Sequence, residues 1–434
     1  MQQTTATGLV RRIRRWDLVL LFINAIIGAG IFGLPSRVYA LIGTYSLLAY
    51  LICALLAVLI AFCFAEVGSR FNDTGGPYLY AREAFGPALG FEVGWLLWLA
   101  RLTAFAALCN LFITYLGYLW PAADSGWWRT LVATAIVVFL TVVNVVGVRK
   151  AVLVSDFFSV GKLIALLFFV TVGLFFIDPG RYSFATQPAY GSFSTAVLLL
   201  FFAFSGFEVG VIPAGEAVDP RRHMPFAILT AIGVVVTLYI LVQFVCIGTL
   251  PGLAFSQTPL SDASSRFLGA AGALVITLGA LISVTGTMHS SLLAGPRLLF
   301  AMAQRGQLPR IFSLTHPRFH TPYVAILLSA AIMLGLTLLG TFISALTMST
   351  LIRLVAYAAT CAALPVLRRK NGAQSAGFRA PGGIVTAIIA LALIVWLLSN
   401  STWQEARDLG IAVAVGLLLY IAFRPGRREP QARS

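Results

Sequence analysis

The sequence predicts an all-α polytopic membrane protein with twelve transmembrane helices, the first ten forming a 5+5 inverted repeat with broken helices 1 and 6, plus two extra C-terminal helices. Three observations lead there. Apolar residues make up 59% of the 434 residues and charged ones only 10%, against about 25% in soluble domains. Mean hydropathy is +0.92, more apolar surface than a water-soluble globule can hide. Apolar runs of span length recur along the whole chain, and the first and sixth are interrupted by glycine and proline.

The runs fall at 17–41, 45–67, 91–119, 130–148, 157–177, 193–214, 226–250, 270–300, 322–340, 342–366, 383–399 and 408–423. Lipid offers no water to backbone N–H and C=O groups, so runs of about 20 residues must be helical. The expected organisation is a basic arm at 1–16, a first repeat at 17–177 and a second at 193–366. A basic loop and two further spans fill 367–423, and a tail occupies 424–434. RRIRR at 11–15 precedes a run too long for a signal-peptide core, so no secretory signal is expected.

Net charge is +15, and its distribution accounts for it. Of 30 Lys and Arg residues, 22 fall in the N-terminal arm, the even-numbered loops and the C-terminal tail, and 5 on the opposite face. That bias places both termini in the cytoplasm of a cell-membrane protein. No basic stripe is interleaved with exposed aromatics, so no nucleic-acid partner is expected; the lipid bilayer suffices. Cys53, Cys63, Cys109, Cys246 and Cys361 lie in or beside apolar runs without CxxC spacing and read as core residues. HExxH, GxSxG, paired intramembrane aspartates and Cys/His clusters are missing, so neither an enzyme nor a metal or organic cofactor is expected. The sequence offers no signal for oligomeric state.

The two interruptions carry the chemistry. Span 1 contains Ile27-Gly28-Ala29-Gly30-Ile31-Phe32-Gly33-Leu34-Pro35; span 6 contains Phe204-Ser205-Gly206-Phe207-Glu208, then Gly210, Pro213 and Gly215. A mid-helix glycine costs about 1 kcal/mol and a proline about 3. Close helix packing explains one such segment alone. Two, at corresponding places of two five-span halves, point to a transporter site at the midplane. Freed N–H groups after the first break suit a carboxylate, and freed carbonyls of span 6 suit an ammonium. A small zwitterion supplies both.

At these residues the sequence resembles the amino acid–polyamine–organocation superfamily, specifically bacterial amino acid permeases. GAGIFGLP at 28–35 is similar to the family's first-span break, and FFAFSGFE at 201–208 with AGEAVDPRRHMP at 214–225 resembles its sixth span and exit. GTMHSSLLAGPRLLFAMAQRGQLP at 286–309, HTPYVA at 320–325 and TGGPYLYAREAFGPALGFEVGW at 74–95 resemble its eighth span, the entry to the ninth and the loop before the third. The resemblance implies alternating access and an amino acid substrate. It puts the substrate carboxylate on the backbone of Ala29, Gly30 and Ile31, within the Gly28 break. The amino group then meets carbonyls of Ile27, Phe202, Ala203 and Ser205, in the segment that includes Phe204 and Gly206. Phe202 stands where an aromatic ring closes over substrate in relatives; phenylalanine offers a cation a weaker face than tryptophan does.

Ionisable residues inside spans are costly and are functional candidates. Lys162, in FFSVGKLIALLFF, matches the lysine that proton-coupled members carry in span 5. Removal from water disfavours the charged form of an ammonium, so this is the expected proton-coupling residue, donating to carbonyls of spans 1 and 8; snorkelling to the interface is the alternative. Arg101 lies about half-way through span 3, either in an ion pair or, with Ala100 and Phe105, on the substrate side, where a cation disfavours lysine, arginine and polyamines. Glu208 and Arg353 are expected in gating with Phe202, with Arg353 paired to Glu208 or to Glu66. Asp156, Glu216 and Asp219 read as solvated or capping residues, His289 as packed and hydrogen-bonded, and Ser290 and Ser291 as facing Lys162. The resulting expectation is proton symport of neutral or acidic amino acids, with exchange in the same fold, or a transporter-like sensor, as alternatives.

Overall fold

A computed structural model describes residues 13–71, 75–146, 151–212, 214, 217–319, 321–371 and 376–423, excepting the side chains of 151–157 and 371. Pro213, Gly215, Glu216, the Asp156 side chain, the tail and most of the basic arm lie outside the described residues. The rest is mostly helical, with no strand among the described residues and one isolated bridge, Ile13 to Ala217.

The elements run α1 (Arg15–Ile26), α2 (Ala29–Ile42), α3 (Ser46–Gly68), α4 (Pro77–Phe85), α5 (Pro87–Leu119), α6 (Gly126–Val146) and α7 (Ala151–Gly173). The second half continues with α8 (Tyr190–Phe204), α9 (Pro220–Thr249), α10 (Pro259–Gln304), α11 (Tyr323–Leu339), α12 (Phe342–Asn371), α13 (Ile384–Ser399) and α14 (Trp403–Phe423). Among the described residues, nine helical stretches are long and apolar enough to cross a membrane, and α11 and α13 are shorter apolar helices. Phe139, Ile164, Leu339, Val395 and Leu418 stand out on the surface, as lipid-facing side chains do.

Some expected boundaries shift for identifiable reasons. The stretch before span 3 forms its own helix, α4, because proline starts both α4 and α5 and Gly86 (φ 99°) turns the chain between them. Span 3 consequently starts at Pro87 rather than near 91. The helix of span 8 follows the non-helical Gly269 (φ 62°, ψ −156°), at the expected 270, and a separate helical segment from Pro259 precedes it. The helix of span 6 stops at Phe204, at the interruption expected there.

α5 is the central post, packed against α10 and α12, while α1 lies on α9 and α2 on α8. At one end of the bundle Glu66 of α3, fully buried, binds Arg70 at 2.9 Å, Arg368 of α12 at 2.6 and 2.7 Å, and the Ala380 backbone N–H at 2.9 Å. This carboxylate ties α3, α12 and the approach to α13 together. Removing one partner of a buried pair costs about 3 kcal/mol. Glu66→Ala is therefore expected to lower the thermal midpoint in detergent markedly, whereas an unchanged midpoint would show that the cluster adds nothing to stability.

Candidate binding site between the broken helices

α1 ends at Ile26 and α2 restarts at Ala29, with Ile27 and Gly28 between them. A helix end leaves its last carbonyls and the first N–H groups of the next helix without intrahelical partners. On the carbonyl side the partners are identifiable. Lys162 Nζ of α7 donates to Ile27 O at 2.7 Å and Asn24 O at 3.2 Å, Thr287 Oγ1 of α10 donates to Ile27 O at 3.2 Å, and Tyr239 of α9 donates to Ile26 O at 3.3 Å. A cation at a helix C-terminus also complements the helix dipole. On the other side, the first turn of α2 has no side-chain cap.

α8 breaks at Ser205 and Gly206. Gly206 has φ 117°, and a Cβ there would strike the Ala25 carbonyl, so only glycine fits both the turn and the crossing with α1. At Gly30 a Cβ would lie 2.5 Å from Ala203 Cα; the two breaks are pressed together. Glu208, fully buried just after the turn, folds back to accept the Gly206 N–H at 3.0 Å. The same carboxylate accepts the Tyr357 hydroxyl, Arg101 Nη2 at 2.9 Å and Arg353 Nη1 at 3.3 Å. Arg353 also donates to Ser205 Oγ at 3.0 Å, and its guanidinium lies 6.0 Å from the Phe202 ring centroid.

A small cavity of about 30 Å³ lies between these elements. Its wall holds Gly28, Ala29, Gly30, Arg101, Phe202, Ser205 and Arg353 from the sequence-derived set, and also Ala25, Ile26, Ala104, Leu108, Val209, Thr287, Ser290 and Ser291. Ile27, Ile31, Ala203, Phe204 and Gly206 are in the packing of the two breaks rather than on the wall. Lys162 sits behind Ile27, and Glu208 behind the two arginines.

Several expectations need correction. Ala100 and Phe105 are fully buried and off the wall; the α5 face that meets the cavity is Arg101, Ala104 and Leu108, spaced as one helix stripe. Lys162 meets Thr287 at 3.3 Å rather than Ser290 or Ser291, which line the cavity. Thr287, Ser290 and Ser291 form an i, i+3, i+4 face, a signal that was there to be read. Arg353 pairs with Glu208 and not with Glu66, whose place is filled by Arg70 and Arg368. Arg101 takes both of its readings, ion-paired and on the wall. His289 is buried, but its Nε2 has no hydrogen-bond partner among the described residues. Asp219 stays half exposed before α9, beside Arg222.

A family model described as amino acid permease matches residues 17–425. The methylthioribose transporter of Bacillus subtilis is 29% identical, over 97% of this chain and 95% of the relative. The serine/threonine exchanger SteT of the same organism is 27% identical, over 95% of this chain and 96% of its own. Its branched-chain amino acid permease BcaP is 27% identical, over 96% and 93%.

Because the Gly206 turn needs a positive φ and the Ala25 carbonyl blocks a methyl group, Gly206→Ala is expected to cost about 2 kcal/mol. Gly233→Ala, on an open face of α9, should be neutral or stabilise by up to about 1 kcal/mol. Thermal unfolding of both purified variants checks the contrast; equal midpoints would mean the turn tolerates a side chain.

Proposed function

This chain belongs to the amino acid permease family, and on that premise we propose that it carries neutral or acidic L-amino acids across the cell membrane by alternating access, coupled to protons. It is an integral membrane transporter and not an enzyme. The carrying observation is that both breaks border one cavity: the uncapped first turn of α2 lies on one side, and two arginines sharing one carboxylate on another. The N–H groups of Ala29, Gly30 and Ile31 suit a carboxylate. The excess of arginine over glutamate disfavours cationic substrates.

In this reading the chain crosses the membrane twelve times, α1–α2 and α8 with its following turn each counting once and α4 not crossing. Spans 1–5 and 6–10 are inverted repeats that rock about the cavity, and the Lys and Arg bias keeps both termini cytoplasmic. Glu208, Arg353 and Phe202 act at the gate. Lys162 couples the proton: charged, it braces the C-terminal carbonyls of α1; on losing its proton it holds them less strongly, freeing α1 to move. A relative named as an exchanger supports exchange as the second reading.

Uptake of radiolabelled amino acids into proteoliposomes tests both. Symport predicts accumulation driven by an acid exterior, and exchange predicts counterflow that ignores the gradient; a panel in which no amino acid enters overturns the proposal. In Lys162→Ala, stimulation by the pH gradient is expected to fall about tenfold while counterflow persists. Stimulation equal to that of the wild type would remove the lysine from coupling.

A further inference from the structure

We propose that Arg101 and Arg353 form a side-chain subsite for a second carboxylate, so that the preferred substrates are L-aspartate and L-glutamate. The inference rests on the reading of this cavity as an amino acid site and narrows its substrate class. Its basis is an asymmetry in how the buried ion cluster is satisfied. Both oxygens of Glu208 are filled: Oε1 takes Arg101 and Arg353, and Oε2 takes the Gly206 N–H and the Tyr357 hydroxyl. The arginines are not filled. Each guanidinium is a fork of N–H donors, yet these contacts use a single nitrogen of each, and both Nε atoms lack a hydrogen-bond partner among the described residues. Both side chains are at least nine-tenths buried and both line the cavity.

The Glu66 cluster carries the same surplus of one arginine, but there the Arg368 side chain is 26% exposed and water relieves it. The Glu208 cluster leaves one positive charge in excess and two Nε donors without a partner among the described residues, on side chains that line the cavity. An unpaired buried charge is expensive, and an anion in the cavity offsets that cost. With the α-carboxylate at the first turn of α2, the remaining anion must come from the substrate's side chain. Guanidinium forks match a carboxylate in geometry as well as charge.

The test uses aspartate and asparagine, which share a shape and differ in charge. In proteoliposomes holding the full-length protein, unlabelled L-aspartate should compete with labelled substrate at a concentration about tenfold lower than L-asparagine, and L-lysine should not compete. In Arg101→Gln the aspartate-to-asparagine ratio should fall towards one, measured on protein whose size-exclusion profile and thermal midpoint show it folded. If that variant does not fold, the wild-type ratio alone decides. Equal or better competition by asparagine, or competition by lysine, overturns this inference and leaves amino acid transport standing. Failure of every amino acid to enter or compete overturns both.

Discussion

Main-chain polar groups have nowhere to go in hydrocarbon except to one another, and among the described residues the main chain opens at Ile27–Gly28 and at Ser205–Gly206, with these openings pressed together. Everything else around the site answers that constraint. Glycine at 30 and 206 lets the two backbones approach, the latter in a conformation other residues resist. Lys162, Thr287 and Tyr239, from three different helices, converge on the carbonyl end of α1. Glu208 closes the second break by bending back onto Gly206. The first turn of α2 has no side-chain cap, and it borders the cavity.

Glu66 and Glu208, the fully buried carboxylates among the described residues, show how differently such groups can be used. Glu66 gathers two arginines and a backbone N–H where Arg368 still reaches solvent, 26% of its side chain being exposed. Its second arginine is thus partly paid for by water. Glu208 gathers two arginines whose side chains are only 4% and 5% exposed, so the unbalanced charge has no such relief. The first cluster is a tie between helices. The second is a tie with a surplus, on side chains that line the cavity.

The helices could be read from the chain because lipid forces long apolar runs into one conformation, and the breaks could be read because Gly28, Gly30, Gly206 and Pro35 are expensive where they stand. Lys162 stood out for the same reason. What could not be read was pairing. Arg101 and Glu208 are 107 residues apart, and Lys162 and Thr287 are 125 apart; no periodicity within one helix reports a partner on another. The placement of Phe105 failed similarly, since the rotation of α5 is set by α10 and α12 packing on it. α4 is not legible as a span because its nine residues are too short for an apolar run, although the prolines at 77 and 87 mark where two helices begin.

The arrangement around Ile27 bears on how substrate and proton could act on one another. On the proposed reading, substrate engages the N–H end of α2 while Lys162 engages the carbonyl end of α1, and only Ile27 and Gly28 separate the two. Any displacement of one half-helix alters both sets of contacts. Coupling between two ligands is reciprocal: whatever substrate does to the proton on Lys162, that proton does to substrate by the same factor. A lysine placed on the wall of the cavity would compete with the amino group of a substrate for space and charge. Behind Ile27 it is excluded from the cavity yet shares the same broken helix, so a change of charge there reaches the site through the main chain rather than through direct repulsion.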